Sequence, residues 1–121
     1  MCIDQSKWHY CQYRKHVTPP KYREKVTADI DRLTLESDAL YYPQFQPRDV
    51  EQQVVDGGIY VQSSKAHKVF KIYEFEWAIG ACNGQSSRWV KIEVTSGEFH
   101  GRPITQEQFM RFLGRQVPCC G

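Results

Sequence analysis

The sequence predicts a single α+β domain over 1–121, in which a three- to four-stranded antiparallel sheet carries helices packed mainly on one face. Three observations support this fold class. Hydrophobic residues recur at helical spacing in two parts of the chain, they alternate with polar residues over 59–95, and proline, glycine and Asn-Gly segments separate these regions. Of the 121 residues, 40% are hydrophobic and 25% charged, which is typical of one folded domain.

The N-terminal segment 1–17 interleaves aromatic and cationic side chains, and we interpret it as an arm or an edge strand. A helix over about 19–38 is expected to follow. Thr18 is a suitable N-cap residue, and the prolines after it are tolerated because the first N–H groups of a helix have no intrahelical partner. The hydrophobic residues of this segment lie at helical spacing: Tyr22, Val26, Ile30 and Leu33.

Prolines separate the first helix from a second, shorter one. Two aromatic-proline segments within 41–47 predict extended backbone, because proline disfavours helix at the residue before it. Pro47 can open a helix, and Gly57 can end it. Two valines then lie on one face of that helix: Val50 and Val54. We therefore predict a helix over about 47–56.

The region 59–95 has the alternating pattern of strands and predicts an antiparallel meander. Its first strand begins at Ile59. The segment 67–80 predicts one long strand with hydrophobic residues at odd positions and glutamates among the even ones. A loop with an Asn-Gly turn signal follows. The last strand has three hydrophobic residues on one face: Val90, Ile92 and Val94. One face of this sheet is therefore expected to be polar and exposed.

A third helix is predicted over about 105–113. Thr105 and Gln108 have the spacing of a capping box, in which each side chain bonds the other residue's backbone N–H. Ile104 and Phe109 have the spacing of a hydrophobic staple.

A loop before this helix and a tail after it are also predicted. Gly114 is expected to end the helix and leave a tail over 115–121. The segment 97–103, GEFHGRP, is expected to form the polar loop that joins the last strand to the helix, because its glycines suit turns.

Charge and hydropathy restrict the class of protein. The net charge is +2, which is less basic than is usual for a nucleic-acid-binding domain. No run of apolar residues has the length of about 18 that a membrane span needs, and the first residues lack the apolar segment of a secretory signal. The sequence therefore predicts a cytoplasmic protein without a membrane partner.

The five cysteines are expected to be reduced thiols, because their number is odd and no export signal precedes them. Four of them lie at the chain ends, where a zinc ion is one interpretation, but they lack the close spacing of structural zinc sites: Cys2, Cys11, Cys119 and Cys120. We predict no metal site and no cofactor. The sequence leaves open whether these four thiols are free, metal-bound or disulfide-linked.

The leading functional hypothesis is a small non-enzymatic binding or inhibitor protein, of the kind that mobile elements and phages encode. It would occupy the surface of a protein or nucleoprotein partner. Aromatic and cationic residues favour this hypothesis, because Trp, Tyr and Arg dominate binding hot spots. The candidate binding residues come from the N-terminal arm and the outer sheet face: Trp8, Tyr10, Tyr13, Arg14, Lys15, Tyr60, Trp89 and Lys91. The simpler interpretation is that the aromatic residues pack against the sheet edge while the cations stay solvated.

The alternative hypothesis is a metal-independent endoribonuclease of the small toxin type. RNA cleavage needs a base, an acid and cations for the phosphate. Glu74 or Glu76 would be the base, His100 the acid, and two cations would bind phosphate: Arg102 and Lys71. No nucleotide-binding or zinc-protease motif is present. The competing interpretation of these charged residues is a solvated sheet face with cross-strand Lys–Glu pairs.

Overall fold

The computed structural model describes residues 5–11, 16, 27–35, 39–63, 65 and 67–117, with only the backbone of 27–29. This part of the chain forms a five-stranded sheet, a three-stranded sheet and three α-helices, which confirms the α+β class. None of these helices is long and apolar enough to span a membrane. The strands are β1 (His9–Tyr10), β2 (Ala39–Tyr41), β3 (Ile59–Val61), β4 (Lys68–Glu74), β5 (Gly80–Cys82), β6 (Gln85–Ser87), β7 (Trp89–Thr95) and β8 (Glu98–Ile104). The α-helices are α1 (Thr27–Leu33), α2 (Pro47–Gly57) and α3 (Gln106–Leu113), and a 3₁₀ turn covers Gln5–Lys7.

The large sheet has the strand order β1-β8-β7-β4-β3, in which only the short β1 pairs in parallel. The predicted three- to four-stranded sheet is therefore too small. The meander β3-β4-β7 lies within 59–95 as predicted, and β8 and β1 extend it. The seven-residue strands β4, β7 and β8 pair along their full lengths.

The sequence predicted a loop over 97–103, but this segment lies almost entirely in strand β8. Ser96 and Gly97 form a two-residue turn, and both have positive φ, 53° and 81°. Such a turn matches the twist of a hairpin, so the chain enters a new strand at once. Along β8, Phe99 and Pro103 are buried while His100 is half-buried. Because the parallel strand β1 pairs only with the start of β8, Pro103 is tolerated at its other end.

The predicted long strand over 67–80 is also interrupted. β4 ends at Glu74, the chain bends over 75–78, and Gly80 begins a strand of the small sheet, whose order is β2-β5-β6. The predicted loop at the Asn-Gly signal is a two-residue turn at Asn83 and Gly84, again with positive φ. A side chain at Gly80 would collide with the Leu40 carbonyl, so glycine permits the close pairing of β5 with β2.

The helices lie on both faces of the large sheet, so the prediction of helices mainly on one face is wrong. Valines of α2 pack against one face, which we call the α2 face and which carries Val90, Ile92 and Val94. Phe109 of α3 packs against the opposite face, the α3 face, which carries Phe70 and Ile72. The physical reason is that β4 and β7 have hydrophobic residues on both faces. Polar side chains of the α3 face remain on β7 and β8, and the exposed Glu74 adds one at the end of β4.

The helix ends follow local rules. α2 starts at Pro47, and in α3 both hydrogen bonds of the predicted capping box are present. The staple residues Ile104 and Phe109 share one hydrophobic cluster. The described part of the predicted helix 19–38 ends at Leu33, and residues 17–26 and 36–38 lie outside the described residues.

The chain ends are partly described. The segment 1–17 was expected to be an arm or an edge strand, and its described part contains the edge strand β1. Residues 1–4 and 12–15 lie outside the described residues. In the predicted tail, Gln116 bridges to Val61 and the Val117 N–H donates to the Tyr60 carbonyl.

Candidate functional site

The first candidate site lies on the α3 face, where β7 and β8 pair next to α3. The register sets Glu93 beside His100 and Lys91 beside Arg102, all four on the α3 face. With the buried His16, these side chains line a pocket of about 140 Å³, which we call the β7–β8 pocket.

Glu93 lies between two cationic groups in this pocket. Its Oε1 is 3.0 Å from Lys68 Nζ on β4, and its Oε2 is 3.5 Å from His100 Nε2. Burial lowers the pKa of His100 and Glu93 raises it in part, so the net shift is downward from 6.5. The imidazole is therefore mostly neutral at pH 7.

The cations of the β7–β8 pocket are held by groups of the protein itself. Lys91 Nζ lies over the rings of Phe70 and Phe112, 4.5 Å and 5.4 Å from their centroids, and burial lowers the pKa of this lysine. The Arg102 guanidinium reaches Cys82 Sγ at 3.7 Å. His16 Nδ1 lies 2.7 Å from the Ala39 carbonyl oxygen, which can only accept, so Nδ1 carries a hydrogen.

The four residues of the predicted ribonuclease site do not form one cluster. His100 and Arg102 share the β7–β8 pocket. Lys71 lies on the α2 face, because it pairs with Ile92, and its ammonium donates to the Val55 carbonyl. Glu74 is four ladder positions from the level of His100, roughly 13 Å along the strands.

Glu74 and Glu76 have surroundings of their own. Glu74 Oε2 is 2.6 Å from Arg88 Nη2, and Glu76 lies in the bend after β4. Glu93 is the carboxylate beside His100. Sequence reasoning missed this pairing because it took the segment of His100 for a loop, although the Ser96-Gly97 turn was a signal for a hairpin.

The candidate binding residues are divided between the two faces of the sheet. Tyr60 is buried on the α2 face, where Trp8 and Lys71 contact its ring. Trp89 and Lys91 are on the α3 face, where Trp89 packs against Phe109. Tyr60 therefore lies on the face opposite to Trp89 and Lys91, whereas the sequence predicted one outer sheet face for all three.

Tyr10 packs edge-on against Phe99 and carries the Arg48 guanidinium over its ring at 5.4 Å. The other three arm residues lie outside the described residues: Tyr13, Arg14 and Lys15.

A second concavity, which we call the aromatic cleft, has a volume of about 510 Å³. It lies between the start of α2 and the bend over 75–78. Its floor is buried and apolar: Val50, Phe75 and Ile79. Its other aromatic rings are more exposed: Phe45, Tyr73 and Trp77. Its polar residues are Gln44, Gln46, Asp49, Gln53 and Glu76. The cleft could not be predicted from the sequence, because the alternating pattern of 67–80 predicted one long strand with Trp77 on its buried face.

The aromatic cleft is negatively charged. Asp49 and Glu76 are exposed carboxylates, neither of which has a side-chain ion pair or hydrogen bond within the described residues. Among the described residues that line the cleft there is no lysine, arginine or histidine. The N-terminal end of α2 contributes about half a positive charge, which two carboxylates outweigh.

The described residues contain neither a disulfide bond nor a metal-binding cluster. Cys11 and Cys82 are free thiols, whereas Cys2, Cys119 and Cys120 lie outside the description. The described residues contain no group of three or more His, Cys, Asp or Glu side chains that would hold a metal ion.

Comparison with known proteins adds no relative. No protein family, no curated protein and no solved structure matches this chain.

Proposed function

We propose that this protein is a non-enzymatic binding protein that acts by occupying the surface of a partner protein through the aromatic cleft. One observation carries the proposal: Trp77 is 60% exposed at a concavity that Phe45 and Tyr73 also line. Isolated exposed hydrophobic residues are common on protein surfaces. A tryptophan grouped with other rings at an open cavity is instead typical of a binding hot spot.

The composition of the cleft favours binding over catalysis. The described residues that line it include no cysteine, serine, histidine or lysine, the side chains most often used as nucleophile or general base. The same described residues include no cationic side chain that would stabilise developing negative charge. Aromatic rings with amide and carboxylate groups around them are the composition of a recognition surface.

The size of the effect can be estimated from Trp77. Covering its exposed 60% removes roughly 100–150 Å² of surface from water. At about 25 cal/mol per Å², this burial is worth about 3 kcal/mol, or a factor of about 100 in affinity. Loss of this side chain should therefore abolish most of the binding.

The test is quantitative capture of a partner protein by the immobilised protein. We expect wild type to retain a partner at one-to-one stoichiometry and Trp77→Ala to lose it. Met110→Ala is the matched control, because Met110 is 57% exposed on α3 and does not line the cleft. A partner retained equally by all three proteins, or no stoichiometric partner at all, would contradict the proposal.

A second candidate function is RNA cleavage without a metal ion, and the β7–β8 pocket favours it. Glu93 would take the proton from the ribose 2′-hydroxyl, whose oxygen attacks phosphorus. Protonated His100 would give its proton to the leaving 5′-oxygen, which leaves a 2′,3′-cyclic phosphate. Arg102 and Lys91 would face the phosphate oxygens. Because the pKa of His100 is lowered, the rate should rise as pH falls from 8 toward 6.

This candidate is tested by incubating the protein with total RNA in EDTA from pH 5 to 8. Cleavage that falls at least about 100-fold in His100→Ala and Glu93→Gln would support it. Glu74→Ala is the matched control, because Glu74 lies outside the pocket and should keep full activity. Intact RNA at every pH removes this candidate.

A further inference from the structure

We infer that the aromatic cleft takes up a lysine or arginine side chain from a basic segment of the partner protein. The inference rests on the proposed function and adds to it the chemistry of the occupant. Charge, the ring faces and the volume of the cleft each support it.

The charge of the cleft selects a cationic occupant. Asp49 belongs to the first turn of α2 and Glu76 to the bend after β4, so two carboxylates from different elements line one cavity. Neither has a side-chain partner within the described residues. Two unpaired carboxylates attract an ammonium or guanidinium group and repel a phosphate. An acidic partner or a nucleic acid is therefore disfavoured.

The rings of the cleft can hold a cation in the way that other rings of this protein already do. Lys91 lies over Phe70 at 4.5 Å, and Arg88 over Trp89 at 5.5 Å. No cation of the described chain lies over Phe45, Tyr73 or Trp77. The Trp77 ring, which is 60% exposed, is therefore available for a cation of the partner, and Phe45 and Tyr73 lie beside it in the lining of the cleft.

The volume and the floor of the cleft fit a side chain attached to a peptide. The methylene stem of lysine or arginine can pack against Val50 and Ile79 while its charged end reaches the carboxylates. A cavity of about 510 Å³ exceeds one side chain, so neighbouring peptide backbone enters with it. The amide side chains of Gln44 and Gln46 have no hydrogen bond within the described residues and can pair with that backbone.

The experiment is an NMR titration with the peptide acetyl-Gly-Arg-Gly-amide, compared with the same peptide containing citrulline. Citrulline keeps the shape of arginine but is neutral. We expect the arginine peptide to shift the indole N–H signal of Trp77 and to bind about tenfold or more tightly than the citrulline peptide. The Asp49→Asn, Glu76→Gln double variant should bind the arginine peptide at least about tenfold more weakly.

The control variant removes two negative charges elsewhere. Asp56 and Glu107 are exposed residues that do not line the cleft, so the double variant Asp56→Asn, Glu107→Gln should bind the arginine peptide like wild type. Equal binding of both peptides, equal loss in both double variants, or shifts located outside the cleft would overturn the inference.

The two proposals fail in different ways. If the arginine peptide does not bind the cleft but Trp77→Ala still loses the partner protein, the inference is wrong and the proposed function stands. If the arginine peptide binds with the expected charge dependence but Trp77→Ala retains the partner, the proposed function is wrong and the cation site stands.

Discussion

The β7–β8 pocket and the aromatic cleft differ in how far their charges are satisfied by the protein itself. In the pocket, Glu93 pairs with Lys68 and His100, and the Lys91 ammonium lies over aromatic rings. In the cleft, Asp49 and Glu76 have no such partners within the described chain. Pairing within the protein accounts for the charges of the pocket, whereas the carboxylates beside the exposed Trp77 ring are the reason that we propose a ligand for the cleft. This difference makes the aromatic cleft the stronger candidate for a binding site, although the β7–β8 pocket is more polar.

The largest expected effect concerns the buried carboxyl of Glu51 on α2, which accepts a hydrogen bond from Gly101 of the β7–β8 pocket. Burial raises its pKa to about 7, while the Tyr41 hydroxyl and the Gly101 amide lower it in part. The folded state therefore binds more protons than the unfolded state, whose carboxyl has a pKa of 4.5. Stability from this group is complete below pH 4.5 and is lost as pH rises through 7.

We expect Glu51→Gln to be more stable than wild type by about 3 kcal/mol at pH 8, and the difference to vanish near pH 4.5. Urea unfolding of both proteins across this range measures it. A difference that does not change with pH would mean that the carboxyl is charged in the fold.

The second prediction concerns Trp77 and separates binding from stability. Trp77→Ala should lower partner affinity by about 3 kcal/mol but change the free energy of unfolding by less than about 1 kcal/mol, because the side chain is mostly exposed. Calorimetric binding and denaturant unfolding measure the two quantities. A stability loss as large as the affinity loss would assign Trp77 to the core.

The third prediction compares carboxylates of the two regions. Glu93→Gln should destabilise the protein by about 1 kcal/mol, because it leaves the partly buried Lys68 without its ion pair at 3.0 Å. Asp49→Asn and Glu76→Gln should stay within about 0.5 kcal/mol of wild type, since they break no pair. Equal costs at all three positions would remove the distinction between satisfied and unsatisfied charges.

The smallest expected effect is on the titration of His100. NMR should give this ring a pKa below 6.5, and Glu93→Gln should lower it further, because Glu93 favours the protonated form. The neutral ring is the favoured form in the fold, so its contribution to stability is present above pH 6.5 and is lost as pH falls. A pKa above 6.5 would mean that the ring is less buried or more strongly paired than the structure describes.

Sequence reasoning succeeded where local chemistry decides the structure. Pro47 starts α2, and Thr105 with Gln108 caps α3 as predicted. The alternation in β7 placed Val90, Ile92 and Val94 on one buried face. These features depend on neighbours within about one helical turn or on the two-residue period of a strand.

The same reasoning failed where a segment's structure depends on distant partners. The segment of His100 has glycine and proline at positions that suggest a loop, yet its pairing with β7 makes it a strand. The segment 67–80 has the pattern of one strand, but it divides at residue 75 to join two sheets. The strand breaks there because β4 pairs in the large sheet and β5 in the small one.

The sequence by itself determined the α+β class, the helix ends of α2 and α3 and the meander of β3, β4 and β7, because these follow from short-range propensity and periodicity. Tertiary structure alone decided that helices cover both faces, that Glu93 rather than Glu74 lies beside His100, and that Trp77 lines an open cleft. Those features depend on strand register and on the packing of segments far apart in the chain, and no local pattern encodes either.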